Sequence, residues 1–309
     1  MKKKWVSYLT ATVLLFTSIT VVQGSYMKAA SSSPPPVPSE LEAQATIWKR
    51  EIARQEPFQS WKTAQTDISA LGPGTHSWLV NLNLDGKIVG YMIIHARPEG
   101  GYQLGEYGLG DEPLYSYQSL YRSLVQLAII PSVSSLESGQ AGKVADHVAE
   151  QIYVDPLHAV WKVEPESQSG DSKVIYVDAK TAEQLPYTDQ LPKARAKSVQ
   201  TPLDTTKTEN VIAISHAAYL PEFDAYDSFP WLTKAPLDVL QKSLAKQLDQ
   251  NKRLIFTSEP WDSALRYVWA VNSYHLWNDN QLYVGVDQNG LRYIPFNSLV
   301  SHGSFYELS

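Results

Sequence analysis

Trp78-Leu79-Val80-Asn81-Leu82-Asn83-Leu84-Asp85-Gly86, continuing as Lys87-Ile88-Val89-Gly90-Tyr91-Met92-Ile93-Ile94-His95, is the stretch that decides the fold class. Its period is that of a strand, and Asp85-Gly86 between the two arms suits the positive φ angles of a two-residue hairpin turn. Pro98-Glu99-Gly100-Gly101 turns the chain again, and Tyr102 to Tyr107 offers a third strand. An antiparallel meander is therefore expected in the first half of the chain.

Helices flank this meander. Ser39 and Glu42 have the spacing of a capping box, and Leu41, Ala45, Trp48 and Ile52 recur at helical spacing over Glu40 to Gln55, before Pro57. Tyr117 to Ile129 reads as a second helix, with Leu120, Leu124, Leu127 and Ala128 on one side. Val160-Trp161-Lys162-Val163 and Val174-Ile175-Tyr176-Val177 are strands around a turn at Ser167 to Asp171. Residues 190–210, poor in apolar groups, read as a linker or surface loop.

A second module is expected from Val211-Ile212-Ala213-Ile214. Leu237, Leu240, Leu244 and Leu248 keep helical spacing over Pro236 to Asn251, and strands follow at Arg253–Thr257 and Tyr267–Tyr274. Leu282–Asp287 pairs with Leu291–Phe296 across Gln288-Asn289-Gly290, again a hairpin signal. The fold class is α+β in two modules, 40–189 and 211–309.

The N-terminus reads as an export signal over residues 1–24. Lys2 to Lys4 are followed by an apolar run from Trp5 to Val22, and Val22-Gln23-Gly24 precedes a cleavage point at Ser25. The alternative is an uncleaved anchor over Trp5–Met27, with the folded part still outside. Residues 25–39 form a Ser/Pro-rich linker of extended character, centred on Ser31 to Pro38. The expected location is secreted, with contact to a membrane only through a retained N-terminal segment.

Composition narrows the function. The formal charge is −6, and losing three lysines with the signal makes it −9. Without Lys/Arg clusters the chain lacks the footprint that neutralises phosphates, so nucleic acid is excluded as an expected partner. There is no cysteine, so stability rests on packed cores rather than disulfides.

Two resemblances follow from particular residues. Leu157 to Val163, with Ile175-Tyr176-Val177-Asp178-Ala179-Lys180-Thr181-Ala182-Glu183, resembles the closing hairpin of PepSY-type domains, Ala182 standing where that family has Gly. Val89 to Ile94 with the Gly100-Gly101 turn is similar to streptopain-type propeptides. The 211–309 half resembles the papain-fold peptidases that process bacteriocin leaders, through Leu237–Leu248, Lys252 to Phe256, Tyr267 to Tyr274, and Tyr283-Val284-Gly285-Val286-Asp287. Tyr267 stands at the catalytic His position, Asp287 at the Asp position, and the nucleophilic Cys is absent. The resemblance implies a propeptide-like module joined to a degenerate peptidase module without catalytic residues.

No hydrolase, phosphate-loop, dinucleotide or zinc-protease motif occurs, and no cofactor is expected. The seven histidines lack i, i+3 or i+4 spacing, so no metal site is expected without tertiary convergence. Ser215-His216 reads as a strand-end pair, and Glu106, Asp111 and Glu112 as solvated loop carboxylates. The candidate ligand-binding residues are the aromatic cluster Trp261, Tyr267, Trp269, His275 and Trp277, with Arg266 and Asp287. Either they pack a core, or they line a groove for an extended peptide or a glycan. The function expected is a secreted, non-catalytic binding protein acting on peptides or modulating a secreted peptidase. An extracellular hydrolase with another nucleophile and an envelope glycan-binding or structural protein stay open.

Overall fold

The computed structural model describes residues 37–72, 76–131, 143–144, 147–165, 173–188, 211–261 and 265–308. The expected signal at 1–24, most of the Ser/Pro linker, the turn at 167–171 and the 190–210 segment lie outside the described residues. Helix α1 (Ser39–Ile52) and a 3-10 helix (Glu56–Lys62) precede β1 (Gln65–Ala70), β2 (Ser77–Leu84), β3 (Lys87–Ala96) and β4 (Tyr102–Leu109). Then come α2 (Tyr117–Gln126), β5 (Lys143–Val144), β6 (His147–Tyr153), β7 (Ala159–Pro165), β8 (Ile175–Asp178) and β9 (Gln184–Thr188). The second half holds β10 (Ile214–Tyr219), α3 (Pro230–Thr233), α4 (Gln241–Asp249), β11 (Leu254–Ser258) and β12 (Tyr267–Trp277). It ends with β13 (Gln281–Asp287), β14 (Leu291–Pro295), α5 (Phe296–His302) and β15 (Gly303–Glu307). No helix among the described residues is long and apolar enough to cross a membrane.

Both hairpins form where the turn residues call for them. Asp85 and Gly86 take φ of 51° and 77°, and Asn289 and Gly290 take 48° and 111°. The capping box does not form. Pro38 is the N-cap of α1 and Ser39 is already helical, so no side chain caps that end. Glu40 and Glu42 in the first turn, with Lys49 and Arg50 in the last, complement the helix dipole instead. Helix α4 starts later than its leucine spacing suggests, because Leu240 is extended and its N–H donates to Ser243 Oγ at 2.8 Å.

The α+β class holds, with antiparallel strands throughout both sheets. The larger sheet runs β1-β2-β3-β4-β14-β13-β12-β11-β15, with β10 also on β12; the smaller runs β5 to β9 in order. The expected modules 40–189 and 211–309 do not correspond to separate sheets. Strand β4 pairs with β14 through Tyr107–Tyr293 and Gly108–Arg292, joining strands from both sides of residues 190–210.

Each face of the large sheet has its own cover. Leu41, Trp48 and Ile52 of α1, with Phe58 and Trp61, pack on Val80, Leu82, Met92, Ile94, Tyr107 and Tyr293. On the opposite face, Leu79, Tyr91 and Ile93 meet α2 and the small sheet through Leu120, Leu124, Trp161 and Val177. Farther along that face Leu244 and Leu248 of α4 cover Phe256, Trp269, Val284 and Ile294. Burying each large apolar side chain contributes about 1.5–3 kcal/mol, so these three contacts hold the layers together.

One irregularity redirects side chains. Pairing between β12 and β13 shifts register between Val271 and Ser273, the mark of a bulge. Trp269 and Val271 face α4, and so does Tyr274, while Trp277 faces α1. Strict alternation would have put Trp269 and Trp277 on one face.

The Tyr176-to-Glu183 turn places Ala182 in the left-handed region. Asp178 Oδ1 accepts from the N–H groups of Lys180 and Thr181, both at 2.8 Å, and Ala182 closes the turn at φ 58°. A Cβ in that left-handed region costs roughly 1–2 kcal/mol. Ala182→Gly is expected to raise stability by about 0.5–1 kcal/mol, glycine's larger unfolded-state entropy offsetting part of the gain. Urea unfolding checks this; an unchanged or lower midpoint would show the turn to be unstrained.

Candidate functional site

The aromatic candidates are placed mostly inside. Trp261, Trp269, His275 and Trp277 are buried, whereas Arg266 and Asp287 are exposed. The bulge sends them to different layers: Trp269 packs with the α4 cluster, and Trp277 with the α1 cluster. Trp261 packs with Val160, Tyr176 and Leu185 on the small sheet. Tyr267 and Trp269 do stack, with ring centroids 5.2 Å apart. Tyr267 donates to Asp178 Oδ2 at 2.7 Å, while Asp287 Oδ1 accepts from Gly290 N–H at 3.3 Å. Arg266 is paired with Glu259. These seven residues act as core and as local pairs rather than as the wall of one groove.

His275 sits in an aromatic layer. Its ring lies 4.1 Å from that of Tyr293, which stacks 4.9 Å from Tyr107. Its Nδ1 faces the Tyr107 hydroxyl and its Nε2 the Tyr219 hydroxyl, each at 2.7 Å. A neutral imidazole, donating at one nitrogen and accepting at the other, satisfies both. Burial pushes its pKa down to about 3.

Glu106, expected to be a solvated loop carboxylate, is fully buried on β4. Arg292 Nη2 donates to Glu106 Oε2 at 2.7 Å and to the Pro156 carbonyl at 2.8 Å, and Nη1 donates to Gln288. The Tyr91 hydroxyl donates to Glu106 Oε1 at 3.1 Å. This group ties β4, β14 and the turn before β7 at one point.

Beside that turn a cleft of about 570 Å³ opens between the small sheet, the β3–β4 surface and α5. Side-chain amides of Gln103, Gln241, Asn280, Gln281 and Asn297 line it, with His95, Tyr153, Phe296 and Asp155. The Tyr153 hydroxyl is buried and has no hydrogen-bond partner among the described residues. His95 Nδ1 and Ser77 Oγ are 2.7 Å apart, as cross-strand neighbours in the β2–β3 register. Burial lowers the His95 pKa to about 4, so the ring is neutral near pH 7 and shares one hydrogen bond with Ser77, the ring tautomer deciding which of the two donates. Ser77 itself is buried and is not among the lining residues.

Asp155 on the cleft wall begins a second polar group. Its Oδ1 accepts from the N–H groups of Leu157 (2.8 Å) and His158 (3.1 Å), and both oxygens lie 2.8 Å from His158 Nδ1. His302 Nε2 lies 3.5 Å from Asp155 Oδ2. Burial alone would raise the Asp155 carboxyl, but the His158 hydrogen bond, both imidazoles and the Leu157 N–H outweigh it and hold it low. The sequence carried half of this signal, since Asp155 and His158 are three residues apart. His302 joins them only through the fold.

No family model matches the chain, and neither a curated protein nor a solved structure matches it. The functional reading therefore rests on these geometries alone.

Proposed function

We propose that the chain is an exported, non-catalytic binding protein whose cleft beside Tyr153 receives an extended peptide. The lining carries the reading. Five amide-bearing residues line the cleft, and an amide suits the alternating N–H and C=O groups of a peptide backbone. Gln241 is already engaged, with Nε2 donating to Asn297 Oδ1 at 3.4 Å and Oε1 accepting from the Leu282 N–H at 3.2 Å. Phe296 adds apolar surface to the lining, and Tyr153 borders the same cleft with its hydroxyl buried.

The hydrolase reading would need Ser77 as nucleophile and His95 as base. Their 2.7 Å contact favours it, but the buried Ser77 hydroxyl argues against it. A labelled peptide library and an oligosaccharide panel, read by fluorescence anisotropy, separate the readings. A peptide bound intact, with affinity reduced about tenfold or more in Gln281→Ala/Asn297→Ala, is expected, two lost hydrogen bonds accounting for that factor. Oligosaccharide binding without peptide binding would favour the glycan reading, and cleavage abolished by Ser77→Ala the enzymatic one.

A further inference from the structure

We propose that Asp155, His158 and His302 form a binding site for a first-row divalent transition metal of the zinc class. Among the described residues this is the one group of His, Asp or Glu side chains whose ligand atoms converge, all within 4.8 Å of one another. Atoms bound at about 2.0–2.1 Å in a tetrahedral site lie about 3.3–3.4 Å apart, so an ion would open the 2.8 Å Asp155–His158 contact and draw the more distant donors in.

The second shell makes the case stronger than proximity does. His158 Nε2 faces the Pro260 carbonyl at 2.9 Å, and His302 Nδ1 faces the Ser298 carbonyl at 2.9 Å. A carbonyl accepts only, so each of these nitrogens carries the ring proton. The other two nitrogens are turned to Asp155, His158 Nδ1 lying 2.8 Å from both carboxylate oxygens and His302 Nε2 3.5 Å from Oδ2. A backbone carbonyl behind each imidazole is the second shell that fixes tautomer and ring orientation in metal sites. Asp155 is oriented too, since its Oδ1 also accepts from two backbone N–H groups.

Two imidazoles and one carboxylate suit zinc, cobalt or nickel better than calcium or magnesium, which select oxygen ligands. Three protein ligands leave coordination positions free, and Asp155 also borders the cleft. The ion would link the β6–β7 turn to α5. This inference stands on the second-shell geometry and does not depend on the peptide reading.

The competing occupant is a proton, shared between imidazolium and carboxylate. Titrating the chelator-treated full chain with Zn²⁺ against a chromophoric chelator distinguishes the two. One Zn²⁺ per chain is expected, with affinity falling tenfold or more in His302→Gln and in Asp155→Asn. His216→Gln, which alters an exposed His–Asp249 pair elsewhere, is expected to bind as the parent does. Cobalt bound to the parent is expected to show the intense visible bands of low-coordinate Co²⁺. Thermal melting of the parent alone covers a variant that fails to fold: Zn²⁺ should raise its Tm and Mg²⁺ should not. No zinc retained by the parent, or equal retention by folded His302→Gln, overturns the proposal.

Discussion

Arg292→Met is expected to destabilise the protein by about 3–5 kcal/mol, a large part of the roughly 5–15 kcal/mol that holds a domain folded. The guanidinium is 2% exposed and the Glu106 carboxylate is fully buried, so water cannot replace what the substitution removes. Glu106 would keep only the Tyr91 hydroxyl, and the Pro156 carbonyl and Gln288 would each lose a donor. The Arg292 contact over the Trp269 ring, 5.9 Å from its centroid, would go as well.

The pH dependence of that variant has a definite sign. Burial already raises the Glu106 pKa in the parent, against the pull of Arg292. Without Arg292 the pKa rises further, and a carboxyl with a raised folded-state pKa stabilises most below its unfolded value and loses that contribution as pH rises. The defect should therefore be larger at pH 8 than at pH 5. Glu106→Gln/Arg292→Met should recover stability relative to Arg292→Met, since an uncharged pair leaves no buried charge. Urea unfolding of the three proteins measures this; a cost under about 1 kcal/mol for the single substitution would mean that Glu106 is solvated.

Acid should unfold the protein through His95 and His275. Their pKa values are lowered from 6.5 to about 4 and about 3, with burial as the cause in each case. Between 6.5 and those values the unfolded chain binds protons that the folded chain refuses, so stability is full above pH 6.5 and falls as pH falls. A tenfold difference in proton affinity between the folded and unfolded chain is worth about 1.4 kcal/mol, so each ring can cost on the order of 3–5 kcal/mol at the bottom of its window. Phe58, Tyr107, Tyr219 and Tyr293 surround His275, and Ser77 and Tyr153 contact His95; none of them supplies a carboxylate to offset the new charge. Near-UV circular dichroism followed from pH 7 to pH 3 should show a cooperative loss, displaced to lower pH in His275→Gln. A urea midpoint constant from pH 7 to pH 4.5 would contradict the assignment.

What the sequence disclosed and what it hid divide along the range of the interactions. The β2–β3 and β13–β14 hairpins were legible because Asp85-Gly86 and Asn289-Gly290 act on their own neighbours. Strands β1, β5, β6, β9 and β15 were missed. Apolar residues do not mark β1, whose side chains are largely exposed, and β5 is only two residues long. The β4–β14 seam left no local trace, so a chain whose larger sheet draws strands from both halves read as two modules. Glu106 looked solvated for the same reason: its partner lies 186 positions away. The aromatic cluster was visible as composition, but a one-residue bulge near Asn272 decided which rings share a layer. His158 and His302 converge only because α5 folds back beside the β6–β7 turn.

The β4–β14 seam also sets an order of assembly. A chain synthesised from its N-terminus completes the β1–β4 meander long before residue 291 exists. Throughout that interval the free side of β4 offers unpaired N–H and C=O groups to any other strand. Closing the sheet needs contacts far apart in sequence, which are slow to form. The meander is thus the segment most exposed to strand-to-strand aggregation, and β14 is the strand that ends the exposure.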